Sequence, residues 1–373
     1  MRKTYLYKVE MNRCAEAACN QWLETCRELY NLALDQRISA YRQYRKHISA
    51  YTQMGQLPEL KEAFPQFREV GSQCLQDVID RLDKAFKAFF QRVKEHKGKV
   101  GFPRFKGYGR YDSFTLKQTG WKLEGRYLTI ARIGRLKLFL SRPVMGDIKT
   151  VTLRRSASGK WFITFSCDNV PKRIAPVTGQ EVGIDVGIQS FAVDSDGNKI
   201  GNPKYFRQYE KLLCRRQRSL SRKKRGSNRR TAAKMLVAKC HEKIAHQRKD
   251  FLHKTANYYI QNYDIIHVES LVIQNMVRNR HLAKSIADSS WGMFFDMMSY
   301  KAENAGRTVI KVPPHNTSQN CSACGEKVLK SLAVRTHRCP FCGLVLDRDH
   351  NAALNILRAG QARQALTAAV AVV

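Results

Sequence analysis

Eleven cysteines occur in the 373 residues, and four of them are spaced for chemistry. Cys321 and Cys324 form one CxxC pair and Cys339 and Cys342 a second, with fourteen residues between the pairs. Four thiolates at this spacing can enclose one tetrahedral zinc between two facing turns. Such a site is closed, so its Zn²⁺ is structural and not catalytic, and residues 315–343 read as a zinc ribbon. Pro340, Gly325 and Gly343 suit the tight turns that aim sulfur at metal. The other seven cysteines are scattered, and several lie in apolar contexts where a thiol acts as a small hydrophobe. An odd total with this clustering fits a reducing compartment.

Three acids form a second set. Asp185 lies in the apolar stretch GIDVGI, Glu269 closes the apolar IIHVES, and Asp349 stands in LDRDHNAALNI where a helix begins. A carboxylate on an apolar strand is costly unless paired or bound to a cation. Three together can hold two divalent metals, one to activate water and one to stabilise the leaving oxygen of a phosphodiester. Each acid also has an ordinary reading. Asp347 or Asp349 can cap the helix that follows, and Glu269 can cap the next element.

The charge points to a polyanionic partner. Sixty-six Lys and Arg face 31 Asp and Glu, a formal net charge of +35. Such a chain resists compaction unless its charge is neutralised, and nucleic acid is the natural partner. Residues 201–250 alone carry 17 basic residues against three acids, a net +14. Within that stretch, Arg215, Arg216, Arg222, Lys223, Lys224, Arg225, Arg229 and Arg230 are candidate phosphate contacts. Arg104 and Lys106 lie in GKVGFPRFKGYGRYDSF, where basic and aromatic residues interleave as phosphate contact plus stacking requires. No apolar run reaches the length of a membrane span. MRKTYLYKVE has no signal-peptide core. A cytoplasmic protein is expected.

The elements that position these residues follow from periodicity. Residues 2–9 alternate as a strand. A helix from about Glu16 carries Trp22, Cys26, Leu29 and Ala33 along one seam, and a second from about Ser72 to Lys97 carries Leu75, Val78, Leu82, Phe86 and Phe89. Residues 48–67, with Gly55, Pro58 and Pro65, read as a loop. Residues 113–167 hold about five short antiparallel strands, which with residues 2–9 suggest a small β-barrel with the helices inserted. Residues 171–180 read as a linker. Beyond them strands and helices alternate, with two basic helices over about 205–262 interrupted near 221–228. The fold class is α+β and multidomain.

GIDVGI, QRSLSRKKRGSNRR, HEKIAHQRKDFLHK, HVESL, LAKSIADSSWGMFFDMMSYKAE and CSACG…CPFCG…LDRDHNAALNI occur in this order. In that order and spacing the chain resembles the TnpB family, encoded by insertion sequences and related to compact type V CRISPR effectors. The likeness is firm from about 181 to 358 and looser before it, where RLDKAFKAFFQRV and GFPRFK match. It implies a RuvC-like nuclease domain of RNase H fold over 181–314 and 344–360, interrupted by the ribbon. It implies a wedge-like barrel (1–15 and 98–170) with an inserted helical recognition domain (16–97), and leaves 361–373 as a disordered tail. It implies a guide RNA from the element's own end, a target double-stranded DNA beside a short flanking motif, and Mg²⁺ held by Asp185, Glu269 and Asp349. Ser270 departs from the family, which often has Asp after the strand Glu. Three other readings stay open at this level: a guided repressor that barely cuts, a transposase that itself joins strands, and a compact CRISPR effector.

Overall fold

A computed structural model describes residues 1–95, 100–331 and 334–370, and divides the chain into two units, Met1–Pro171 and Lys172–Val373.

The first unit is a sheet packed with helices. Strand β1 (Lys3–Glu10) leads through the Asn12 cap into the 32-residue helix α1 (Arg13–Tyr44). Helices α2 (Ala50–Gly55) and α3 (Leu57–Ala63) and a short turn of 3₁₀ helix follow, where a loop was expected. Ser49 caps α2 by accepting from the Thr52 amide at 3.0 Å, and Pro58 sits in the first turn of α3, where a missing N–H costs nothing. Helix α4 (Ser72–Lys94) returns to pack along α1; the end expected for it, 95–97, lies mostly outside the described residues.

Six more strands complete the unit: β2 (Ser113–Leu116), β3 (Trp121–Glu124), β4 (Tyr127–Ile130), β5 (Gly134–Phe139), β6 (Asp147–Arg155) and β7 (Trp161–Asp168). With β1 they form one antiparallel sheet in the order β2-β6-β7-β1-β5-β4-β3. The N-terminal strand thus takes the centre of the sheet, paired on both sides. Among the described residues β2 and β3 do not pair, so the ladder is open where a closed barrel was expected. Helices α1 and α4 supply the apolar cover that closure would have given. Trp22 of α1 meets Phe114 of β2 at 5.3 Å between ring centroids, and Gln73 of α4 accepts the Lys117 and Gln118 amides at 3.0 Å just past β2. Helices and sheet therefore share one hydrophobic core.

The second unit is built on a mixed five-stranded sheet, ordered β10-β9-β8-β11-β12. Its strands are β8 (Glu181–Val186), β9 (Ser190–Asp194), β10 (Lys199–Gly201), β11 (Ile265–Glu269) and β12 (Thr308–Val312). β8, β9 and β10 form an antiparallel meander, whereas β8, β11 and β12 run parallel. The parallel pairs need crossovers. The helices α5 (Tyr205–Ser221) and α6 (Asn228–Asn262), broken by the Ser227 cap, supply the first. The short α7 (Ile273–Met276) and α8 (Ala283–Ser289) with α9 (Trp291–Ala305) supply the second. Residues 173–179 have no regular structure but are tethered: Asp264 accepts the amides of Thr178 at 3.0 Å and Gly179 at 2.7 Å, and Arg307 bonds both Asp264 and the Pro176 carbonyl.

A two-stranded ribbon, β13 (Thr336–Arg338) and β14 (Val345–Asp347), precedes helix α10 (Arg348–Val370). The helix runs on through 361–370, so the tail expected to be disordered is helical that far; Ala and Leu, strong helix formers, are frequent in it. Among the described residues no helix is long and apolar enough to cross a membrane.

Candidate active site and metal centre

The register of two parallel strands brings the first two acids together. Ile184 of β8 pairs with Val268 of β11, so the next residues, Asp185 and Glu269, lie side by side at the carboxyl ends of neighbouring strands. Crevices beyond such strand ends are where open α/β sheets bind ligands. The third acid arrives on α10, which packs along β8. That approach depends on Gly183. A Cβ there would stand 2.2 Å from the Ala353 carbonyl and 2.6 Å from the Leu357 amide nitrogen, so only glycine lets α10 press onto the strand. Gly360 serves the same purpose beside β11, where a Cβ would collide with the ring of buried His267.

Electrostatically the three carboxylates share one field. Burial pushes the Asp185 carboxyl well above the usual range, and the charges of Glu269 and Asp349 push it further. Burial also raises Glu269, against the opposing bond from Thr317, whose hydroxyl donates to Glu269 Oε1 at 2.5 Å. Asp349 is bracketed by guanidinium groups. Arg348 donates from Nε at 3.1 Å and Nη2 at 3.0 Å to Oδ1, and Arg335 reaches Oδ2 at 3.5 Å. The carboxylate oxygens are not drawn into one tight cluster: among the described residues, only the four cysteines bring their ligand atoms within 4.8 Å of one another. Asp347, two residues before Asp349, does other work. It caps α10 through the Asp349 and His350 amides at 2.9 and 3.3 Å and pairs with Lys199 at 2.7 Å.

The cysteine tetrad is assembled by two equivalent turns. Gly325 N–H bonds the Cys321 carbonyl at 2.9 Å and Gly343 N–H bonds that of Cys339 at 3.0 Å, with both glycines at positive φ. Each turn closes with a second bond, Cys321 N–H to Glu326 and Cys339 N–H to Leu344, both 2.9 Å. The Sγ atoms of Cys321 and Cys342 lie 3.5 Å apart and those of Cys324 and Cys339 3.6 Å apart. A tetrahedral zinc with Zn–S of about 2.3 Å needs sulfurs roughly 3.8 Å apart, so the tetrad fits that ion. Although burial works against it, backbone amides of Cys324 and Ala323 lower the Cys321 thiol towards the thiolate a metal requires.

Sequence patterns gave little hint of the residues that fasten this ribbon to the site. Asn351 and Asn355, one turn apart on α10, both donate to the Asn320 carbonyl at 2.8 Å, and Asn351 Oδ1 accepts the Ser322 amide at 2.9 Å. Asn355 also holds the Thr317 carbonyl at 2.8 Å, and Thr317 in turn holds Glu269. Two asparagines four apart on an apolar helix face were the available signal.

The basic candidates divide by use. Arg215, Arg222, Lys224, Arg225 and Arg229 are exposed. Arg216 donates to the Leu236 carbonyl at 2.9 Å, and Arg230 to those of Leu220 and Lys223 at 2.9 Å, so these two brace the α5–α6 hairpin. Lys223 is half-buried. In the first unit, Arg104 is exposed, whereas the Lys106 backbone is pinned to Asn31 in both directions and its Nζ lies 5.4 Å from the Tyr30 ring centroid.

Comparison with known proteins gives this arrangement a class and then a family. A cryo-EM structure of a Cas12f1–sgRNA–target DNA complex superposes with a TM-score of 0.59 at 15% identity, over 93% of this chain and 83% of that one, so the fold is of the Cas12f type. Residues 165–280 match the OrfB_IS605 model, described as "Probable transposase", and residues 291–356 the "Cas12f1-like, TNB domain". Residues 1–46 match a "Helix-turn-helix domain" model, although here they form β1 and the single helix α1 with its C-terminal cap. A Streptomyces pristinaespiralis protein named "Putative RNA-guided DNA endonuclease" is 34% identical over 91% of this chain and 84% of its own length. The Escherichia coli K12 protein of the same name with the suffix InsQ is 30% identical over 97% and 94%. The chain belongs to the TnpB family.

Proposed function

We propose that the protein is an RNA-guided DNA endonuclease of an insertion element. It holds a guide RNA transcribed from the element's end and cleaves complementary double-stranded DNA beside a short flanking motif. Base pairing supplies the sequence specificity, so the protein's own task is to grip phosphate backbones, and a net charge of +35 suits that task.

The observation that carries the reading is the side-by-side placement of Asp185 and Glu269 at the strand ends, with Asp349 entering from α10. A mixed sheet with three antiparallel and then two parallel strands supports a RuvC-like domain of the RNase H type. Three carboxylates, two of them buried and the charges of Glu269 and Asp349 both bearing on Asp185, are a donor set suited to Mg²⁺. A divalent cation bound there supplies the positive charge that stabilises a phosphodiester under attack. Thr317 orients Glu269 and leaves its second oxygen available. Arg348 and Arg335 hold Asp349 in place and add positive charge where a phosphate would enter. The cysteine tetrad holds Zn²⁺ and stiffens the segment that carries Thr317 and Asn320.

The test is guided cleavage of a plasmid by the protein purified with its copurifying RNA. Cutting that needs both the RNA and Mg²⁺, and that Asp185→Ala abolishes while guided DNA binding persists, is the expected result. A discrete RNA with binding but no cutting by the unaltered protein would mark a guided repressor instead.

A further inference from the structure

An aromatic cavity of about 570 Å³ opens in the first unit where the C-terminal ends of α1 and α4 meet the segment at Phe102. Its wall is a cluster of phenylalanine rings. Phe102 stands edge-on to Phe86 at 5.4 Å and to Phe89 at 5.2 Å, and Phe90 continues the cluster 5.1 Å from Phe89. Phe90 and Phe102 remain 54% and 45% exposed, which leaves large apolar rings facing water beside one another. The charged side chains at its rim are all basic: Arg42, Arg45 and Lys46 line it beside His47, and among the described residues no acid does.

One wall residue keeps a single unpaired donor atom. Arg37 is 7% exposed, and its guanidinium is fixed by Gln53 at Nε (2.8 Å), by Asp83 at Nη1 (3.2 Å) and by stacking over Phe86 at 5.2 Å. Its Nη2 is buried with no hydrogen-bond acceptor. A buried, immobilised donor of this kind is costly unless something supplies an acceptor.

We propose that this cavity seats one unpaired nucleobase of a bound single strand, with the flanking phosphates on Arg42, Arg45 and Lys46. The inference rests on the nucleic-acid reading above and adds a specific seat to it. A base is the occupant whose chemistry uses every feature. Its flat face stacks on the phenylalanines. Arg37, fixed over Phe86 and lining the cavity, adds a positive charge behind the rings. The strand's phosphates complement the rim. A free phosphate would ignore the rings, and an apolar chain would ignore both the rim and Arg37.

The experiment uses the full-length protein and short single strands of DNA and of RNA, each bearing one 5-iodouracil, with abasic strands of the same length as controls. Irradiation followed by peptide mapping is expected to place crosslinks on Phe90, Phe102 or Tyr41, which also lines the cavity, and whichever strand crosslinks names the source of the base. Phe90→Ala and Phe102→Ala, which remove half-exposed rings and should melt like the parent, are expected to weaken binding of the base-bearing strand about tenfold and to leave the abasic strand unaffected. Crosslinks found only elsewhere overturn the inference, as does an equal loss for both strands, which would mark a phosphate surface. If guided cleavage is intact while these results are negative, only the base seat falls. If the protein binds no strand at all, the nucleic-acid reading falls with it.

Discussion

The Asp349 amide donates to the Asp347 carboxylate at 2.9 Å, so the first of two acids separated by one residue is tied into the start of α10 while the charge of the second bears on Asp185. Asp347 is spent on the helix cap and on Lys199, and thereby aims Asp349 at the strand ends. Asp349→Ala is expected to abolish guided cleavage at unchanged stability of the RNA complex. Asp347→Ala should cost about 1 kcal/mol as a lost cap and leave most activity in place. Cleavage kinetics and thermal melts of the two variants check this; equal losses of activity would show that the roles are not divided.

The acid cluster also predicts a pH dependence. Burial, and for Asp185 the charges of Glu269 and Asp349, place the Asp185 and Glu269 carboxyls above their usual range in the folded state. A group so raised contributes stability that is fully present below its unfolded pKa and is lost as pH rises through its folded pKa. In metal-free protein this pair should therefore erode stability as pH rises from the ordinary carboxyl range towards neutrality. Asp185→Asn should flatten that slope, and Mg²⁺ should raise the melting temperature of the parent at alkaline pH but not of the variant. Superimposable melting-temperature profiles for the two proteins would refute it.

Gly183 predicts a remote effect on the site. An alanine methyl would lie 2.2 Å from the Ala353 carbonyl, so α10 must move off β8. Overpacking of this sort costs about 1–3 kcal/mol, and the displaced helix carries Asp349. Gly183→Ala is expected to lower the melting temperature and to cut cleavage far more than RNA binding. A variant with full activity would mean that the helix position does not govern the site.

Zinc and the ribbon staples form a fourth expectation. Elemental analysis should find one zinc per chain, and Cys339→Ser should lose it together with local order, because metal binding and folding are coupled here. Asn351→Ala should retain the zinc yet destabilise by about 1–3 kcal/mol, since it strands the buried Ser322 amide. Folded protein without zinc would remove the first claim, and an unchanged Asn351→Ala melt the second.

The exposed basic hairpin should govern salt dependence. Replacing Arg222, Lys224 and Arg225 together by Ala is expected to reduce the slope of log affinity against log salt by about one unit for each phosphate no longer neutralised. Arg230→Ala should instead loosen the hairpin, because that guanidinium ties the Leu220 and Lys223 carbonyls. An unchanged slope in the triple variant would leave those residues as a solvated face.

How much of this is written in the chain depends on whether a feature is local. The CxxC turns, the Ser227 break between α5 and α6, and the acid-bearing ends of β8 and β11 are legible because each depends on neighbours a few residues away. Caps hidden among turn residues made 48–67 look like a loop. The order of the strands could not be read at all. Nothing local says that β1 sits at the centre of a seven-stranded sheet, or that Ile184 pairs with Val268 and so sets Asp185 beside Glu269. The grip of Thr317 on Glu269 and of Arg335 on Asp349, and the need for glycine at 183, arise only when distant segments are pressed together. Side-chain type and spacing determined which groups were available for chemistry. Tertiary packing alone decided which of them meet, because register and close approach are properties of pairs of segments and not of either one.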